Sequence, residues 1–211
     1  MKIQYLGHSC FYLITAHGIR IMTDPGFPGS GVLPGDIVLT SHDHQDHCSL
    51  EGVAGPSTVI SGAGSRDTHG VEIFGFLGDH GTYQGKWLGM VVCYRLKADG
   101  LTLLHLSDVG VIPGDDEIRQ FGPVDVLFIP VGGRFTLDGE TASILTEKIK
   151  PAVVIPMHYA QAGMDRSRWP IDGVDPFISR MKKVIRHREQ YLELTVENLP
   201  ATTETIVMTV Q

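Results

Sequence analysis

Cysteine is scarce in this sequence and does not pair. Cys10, Cys48 and Cys93 are three in 211 residues. An odd number without paired spacing argues against a disulfide framework, and a reducing cytoplasm is the simplest setting. Long hydrophobic runs are also lacking. No stretch approaches the roughly 18 apolar residues of a membrane span. The opening MKIQYLGHSCFYLI has too short and interrupted an apolar run for a signal peptide, and it reads as a strand. Positive charge is in deficit, with 17 Lys and Arg against 24 Asp and Glu, a net charge of −7. No basic field is left to gather nucleic-acid phosphates. A small anion stays admissible as substrate, because a bound metal reverses the local sign. The expectation is a cytoplasmic protein acting on a small molecule, with neither nucleic acid nor membrane as partner.

What is present is an ordinary globular balance, 42% hydrophobic, with ten histidines and 25 glycines. No low-complexity linker or fixed-period repeat divides the chain, so a single domain over 1–211 is expected. Apolar runs bounded by Gly, Pro, Asp or Ser mark strands at 2–6, 10–15, 19–23, 36–40, 57–61, 71–77, 90–97 and 101–106. Strand-like 124–130 then precedes a helix-like 140–150, where Ala142, Leu145 and Ile149 share one face. Pro151 stops that helix, and 152–156 reads as a buried strand. The spacing of Phe177, Met181, Val184 and Ile185 predicts a second helix over 175–186, with its basic residues late. The tail alternates like a closing pair of strands, which could also pair across chains in a homo-oligomer. Strands first, then alternating strands and helices, predict two layers of sheet with helices outside. Met22, Met90 and Met157 read as core.

The densest chemistry lies in TSHDHQDH, where residues 42–47 hold three histidines and two aspartates. The apolar Ile37, Val38 and Leu39 lead into it, so the polar cluster begins where a buried strand ends. His42 and His44 are two apart and on an extended chain point the same way, towards one ion. Asp46 and His47 are adjacent and point elsewhere, towards a second. Imidazole with carboxylate suits zinc, iron or manganese. Each zinc wants at least three protein ligands and an exchangeable water, so further donors are needed. His80, Asp108 and His158 supply them, each directly after an apolar run, where a sheet exposes its rim. His69 is a weaker rival to His80, since no apolar strand leads into it. His8, at the end of the first strand, is expected to support the site rather than ligate. His105, inside LTLLHLSD, is expected as a satisfied histidine that braces Asp108. His17 and His187 have surface-like neighbours. The loops 26–35, 132–136 and 159–172 could shape a pocket, with Arg134, Tyr159, Arg166 and Trp169 as candidate substrate contacts.

HDHQDH resembles the H-x-H-x-D-H signature of the metallo-β-lactamase superfamily, and His80, Asp108 and His158 follow in the order of that family's remaining ligands. GHSCF at 7–11, IPVGG at 129–133 and IPMHY at 155–159 look like its small stand-alone branch of metal-dependent hydrolases, which includes lactonases related to ascorbate-phosphate lactonase. The resemblance implies an α/β fold, a four-layer αββα sandwich of two mixed β-sheets with the metal site at one rim. It implies two divalent metal ions, zinc foremost, with manganese, iron or nickel as alternatives. His42, His44 and His80 would hold the first, and Asp46, His47 and His158 the second, with Asp108 bridging. Asp24 would brace the metal loop. A water or hydroxide between the metals would attack an ester-like bond: lactone, thioester, amide or phosphodiester. Asp46 could also orient that nucleophile or carry its proton. Two other functions share this ligand set: an iron persulfide dioxygenase with one metal, and a metal-binding module without turnover.

Overall fold

The computed structural model describes residues 1–26, 32–167 and 169–210. Residues 27–31 of the expected 26–35 loop lie outside that description. Two β-sheets carry the fold. The first runs in the order Leu192–Glu193, Lys2–Gly7, Cys10–Ile14, Arg20–Thr23, Ile37–Thr40, Thr58–Ser61. It is antiparallel as far as Arg20–Thr23 and parallel beyond. The second runs Val184–His187, Glu204–Met208, Val153–Met157, Val126–Pro130, Leu101–His105, Met90–Ala98, Val71–Asp79, Gly64–Thr68. Its first five strands are parallel and the rest antiparallel.

Alternation along each strand sorts side chains between two faces. Ile3, Tyr5, Phe11, Leu13 and Ile21 of the first sheet meet Leu103, Val126, Phe128, Val153 and Ile155 of the second in one buried core. The opposite set, Leu104, Leu127, Ile129 and Val154, packs under Ala142, Leu145 and Phe177. The outer face of the first sheet carries a smaller cluster of Leu6, Cys10, Tyr12 and Met22. This is the α/β architecture expected, with two mixed sheets face to face.

Helix Gly139–Ile149 forms where its apolar spacing placed it. Asp138 caps it by accepting from the Thr141 N–H at 2.8 Å, and Lys150 ends it in a left-handed conformation, with Pro151 following. The helix expected over 175–186 covers only Asp175–Ile178. Val184–His187 is instead an edge strand, paired in parallel with Glu204–Met208. The β-branched Val184 and Ile185 suit a strand, and pairing with a distant closing strand outweighs the helical spacing. Met22 and Met157 are buried, but Met90 is 43% exposed at the start of its strand and is no core residue.

The strands Lys2–Gly7, Ile37–Thr40, Val71–Asp79, Leu101–His105 and Val153–Met157 all lead into one rim. Ligand sites in open α/β sheets sit outside such carboxyl ends. Close backbone approach builds this rim. A Cβ on Gly132 would lie 2.1 Å from the carbonyl oxygen of His158, which no rotamer change relieves. Gly132→Ala is therefore expected to cost about 1–3 kcal/mol of stability, as overpacking does. Its melting temperature checks this, and an unchanged value would show that the His158 turn yields freely.

Candidate metal centre

Six of the seven predicted ligands converge, and one predicted supporter joins them. His42, His44 and His80 each offer a ring nitrogen within 4.8 Å of the others. His8, His47, Asp108 and His158 form a second group on the same criterion. His69 is exposed, in the turn between Gly64–Thr68 and Val71–Asp79, and takes no part.

Hydrogen bonds fix which nitrogens point inward. His80 Nδ1 lies 3.0 Å from the Phe135 carbonyl, so Nδ1 carries the proton. Its Nε2 is buried without a hydrogen-bond partner. His47 Nδ1 lies 3.2 Å from Asp24 Oδ2 and donates to it. His47 Nε2 lies 3.1 Å from Asp108 Oδ2, so the ring stands between two buried carboxylates. His158 Nε2 stands 3.1 Å from the same oxygen, and His80 Nε2 4.0 Å. In the outer group Ser41 Oγ lies 2.9 Å from Asp24 and 2.8 Å from His42 Nδ1. Donation by Ser41 to Asp24 makes His42 Nδ1 the donor to Ser41, and aims His42 Nε2 at His44 Nδ1, 2.9 Å away. Imidazole nitrogens converging around a buried carboxylate suit a cation between them. Ligands about 2.0–2.2 Å from a tetrahedral ion lie roughly 3.3–3.6 Å apart, close to these separations. The donor set could hold divalent transition metals.

Electrostatics agree. Burial disfavours the Asp108 carboxylate, yet His158 and His47 outweigh burial and hold its pKa well below the usual range. Burial likewise opposes a charged His47, but Asp108 and Asp24 raise it well above the ordinary imidazole value. Burial pushes His8 and His42 down to about 4. Their rings are neutral at pH 7 and ready to ligate.

The supporting shell is built mostly from hydroxyls. Asp24 is buried, with Oδ2 accepting from the Ser41 and Ser107 hydroxyls and Oδ1 from the Ser41 N–H. Ser9 Oγ donates to Asp108 Oδ1 at 3.2 Å. His105 is the expected satisfied histidine: Nε2 donates to the Ser9 carbonyl and Nδ1 accepts from the Ser107 N–H. Ser9, Ser41 and Ser107 escaped the sequence reading, although each sits beside a predicted site residue. Such partners orient ligands. Asp24 and Ser107, like His8 and His158, have positive φ, 40° and 49°. Left-handed backbone at non-glycine residues is costly and clusters at functional sites.

Asp46 lies beside the inner group rather than within it, with Oδ2 3.2 Å from His8 Nε2 and 3.9 Å from His47 Nε2. Trp169 meets His8 edge-on, ring centroids 5.6 Å apart. Arg166 donates to the Ile171 carbonyl. Arg134 is exposed. Tyr159 is buried, 6.5 Å from the Tyr5 ring, and lines a cleft of about 540 Å³ with Gly7, Gln161 and Arg186.

Residues 2–158 match the model of the β-lactamase superfamily domain. The chain belongs to the metallo-β-lactamase superfamily. A metal-dependent hydrolase from Thermococcus onnurineus is 26% identical over 92% of this chain and 96% of its own length. Another from Carboxydothermus hydrogenoformans is 30% identical, over 83% of this chain and 88% of its own. A Thermotoga maritima structure, proposed as a Zn-dependent hydrolase of the superfamily, superposes with a TM-score of 0.82 at 30% identity, covering 100% of this chain and 99% of its own. The superfamily domain match ends at His158, the last clustered histidine, so the loop carrying Trp169 and the closing strands lie beyond it. Within this superfamily member the H-x-H-x-D-H segment is divided as the resemblance implied: His42 and His44 in the outer group, His47 in the inner one. His8 joins His47, Asp108 and His158 in the inner group, and Asp46 lies at its edge, 3.9 Å from His47 Nε2.

Proposed function

We propose that this chain is a dinuclear metal-dependent hydrolase that attacks an ester-like bond in a small molecule. The observation that carries it is Asp108 Oδ2, buried between two sets of inward-facing imidazole nitrogens. His42, His44 and His80 would hold one ion, the inner group the other, and Asp108 would reach both. Paired divalent ions, when bound, lower the pKa of water and polarise a carbonyl or phosphoryl group. The names of the relatives as metal-dependent hydrolases support the reading.

The chain's own residues do the rest. Asp24, Ser41 and Phe135 hold the outward ring nitrogens of His47, His42 and His80, which aims the inward ones at the site. Asp46 is half-buried at the edge of the inner group, and the neighbouring His8 and His47 overcome burial to keep it ionised. An ionised carboxylate there can orient a water and take its proton. Trp169 offers an aromatic wall beside His8. A net charge of −7 gives no help to nucleic-acid binding. Among the described residues no helix is long and apolar enough to cross a membrane.

Elemental analysis of purified protein, followed by a panel of generic esters, lactones, thioesters and phosphodiesters, tests this. The expected result is two divalent ions per chain and turnover of at least one ester class that a chelator abolishes. One iron per chain with oxygen consumption would overturn it in favour of a dioxygenase. Asp46→Asn is expected to lower kcat by about 10²–10⁴-fold, the usual contribution of a general base. Unchanged turnover would remove Asp46 from the mechanism.

A further inference from the structure

The parallel part of the second sheet splits at the rim. Val126–Pro130 and Val153–Met157 stay paired as far as Pro130 and Met157. Val184–His187 and Glu204–Met208 stay paired as far as His187 and Met208. Between these two pairs of strands the ladder joins only Val153 to Glu204 and Val154 to Thr205 among the described residues. The carboxyl ends of Val153–Met157 and Glu204–Met208 thus diverge, and the cleft of about 540 Å³ opens there. Tyr159 and Ala160, just past His158, line one side, and Val207, Arg186 and Arg188 the other. Crevices outside the carboxyl ends of strands are where such sheets bind ligands. Gly7 and Tyr159, chain neighbours of His8 and His158, tie the cleft to the metal centre.

The charge here runs against that of the chain. Net charge is −7, yet Arg180, Lys182, Lys183, Arg186 and Arg188 are five of the 17 Lys and Arg. Arg186 and Arg188 are two apart at the strand end, where side chains share a face, and both line the cleft. Arg186 meets Asp175 loosely at 3.7 Å, with both side chains more than half exposed. Arg188 has no hydrogen bond or ion pair among the described residues. Burial raises the pKa of the Tyr159 hydroxyl, and Gln161 and the Arg186 charge oppose that rise, so the guanidinium acts within the cleft. Ala162, Val174 and Val207 make the remaining wall apolar. Guanidinium groups match carboxylate and phosphate oxygens in a planar fork. We propose that Arg186 and Arg188 hold an oxyanion, a carboxylate or phosphate, at the far end of the substrate, while the attacked bond lies at the metal centre. This rests on the hydrolase reading above and narrows its substrate class to anionic esters. The strand carrying Arg186 lies two places from the one that ends at His158. Strands about 4.8 Å apart put the anion roughly 10 Å or more from that histidine.

Phenyl phosphate and benzoate, titrated calorimetrically into the purified protein beside uncharged benzyl alcohol, test this. At least one anion is expected to bind, and benzyl alcohol about tenfold more weakly or worse, as loss of a charge-assisted bond implies. Arg186→Gln and Arg188→Gln are each expected to weaken the anion by about tenfold or more on the same ground. Lys182→Gln removes equal charge from an exposed position outside the cleft and is expected to stay within about twofold. Binding of phenyl phosphate alone assigns the cleft to a phosphate, and of benzoate alone to a carboxylate. Anion binding that both arginine variants retain in full overturns the proposal. So does equal binding of benzyl alcohol, or no binding of either anion. Kinetics separate the proposal from the hydrolase reading. On carboxylate- or phosphate-bearing esters the arginine variants are expected to raise KM about tenfold with kcat held, the mark of lost uniform binding. Arginine-dependent anion binding without turnover of any ester overturns the hydrolase reading and leaves the anion site. Turnover of esters with no preference for anionic ones overturns the anion site and leaves the hydrolase.

Discussion

Dialysis against a strong chelator is expected to lower the melting temperature by roughly 8–16 °C, and zinc to restore it. A ligand present at about 1,000 times its Kd adds about 4.1 kcal/mol to the folded state. Each kcal/mol moves the melting temperature of a chain this size by about 2–4 °C. The gap is expected to depend on pH, and His47 sets the direction. Burial opposes its charge, but Asp108 and Asp24 raise its pKa well above the ordinary value in the metal-free fold. A raised folded pKa contributes stability that is complete below the unfolded value, near 6.5, and is lost as pH rises through the folded pKa. Metal-free protein thus loses stability upward from neutral pH. Metal-loaded protein gains, because a ligating His47 must shed the same proton. His8 and His42, pushed down by burial to about 4, add no competition at these pH values. The difference between loaded and stripped protein should therefore widen from pH 6 to pH 8. Thermal melts at several pH values, with and without chelator, read it directly. A constant or narrowing gap would mean that no metal displaces a proton from His47.

The centre was legible because its residues obey one placement rule. His42, His80, Asp108 and His158 each follow an apolar strand, and strands that point the same way bring their ends together across 116 residues of chain, from 42 to 158. The same rule applied to His8, which ends Lys2–Gly7, yet its place among the inner donors was not foreseen. What decides it is a left-handed turn at Gly7 and His8, and histidine does not announce positive φ in sequence. Asp46, which the motif counts as a ligand, stands on the short helix Gln45–Cys48 at the edge of the inner group, beside His8 and His47. Beyond the site, Val184–His187 was misread because its partner, Glu204–Met208, lies far along the chain. Local spacing could not see that pairing. The edge strand Gly64–Thr68 escaped because its side chains, GSRDT, are polar, as edge strands often are.

Asp108→Asn should cause the largest loss of any single substitution. The carboxylate is 2% exposed and its Oδ2 faces His47 and His158 of the inner cluster and His80 of the outer one. An amide keeps the shape and can accept through its oxygen, but it carries no charge to hold two cations. Loss of several kcal/mol of electrostatic stabilisation lowers kcat/KM by about 10³-fold or more. Bound metal should fall below two ions per chain. The metal-free proteins differ too, and the sign follows from the titrations. In the wild-type chain Asp108 is held well below its ordinary pKa by His158 and His47, despite burial. That interaction contributes stability above the unfolded carboxyl value and is lost as pH falls through the folded one. At pH 6 it is intact, and His47 is protonated opposite it. Breaking such a buried pair costs about 3–5 kcal/mol. As pH rises and His47 loses its proton, less is left to break. Stripped Asp108→Asn should therefore melt well below stripped wild type at pH 6, and the deficit should shrink at higher pH. If the variant instead binds two ions and turns over substrate within about tenfold of wild type, a factor worth only 1.4 kcal/mol, the clusters do not share Asp108 and the dinuclear centre is wrongly drawn.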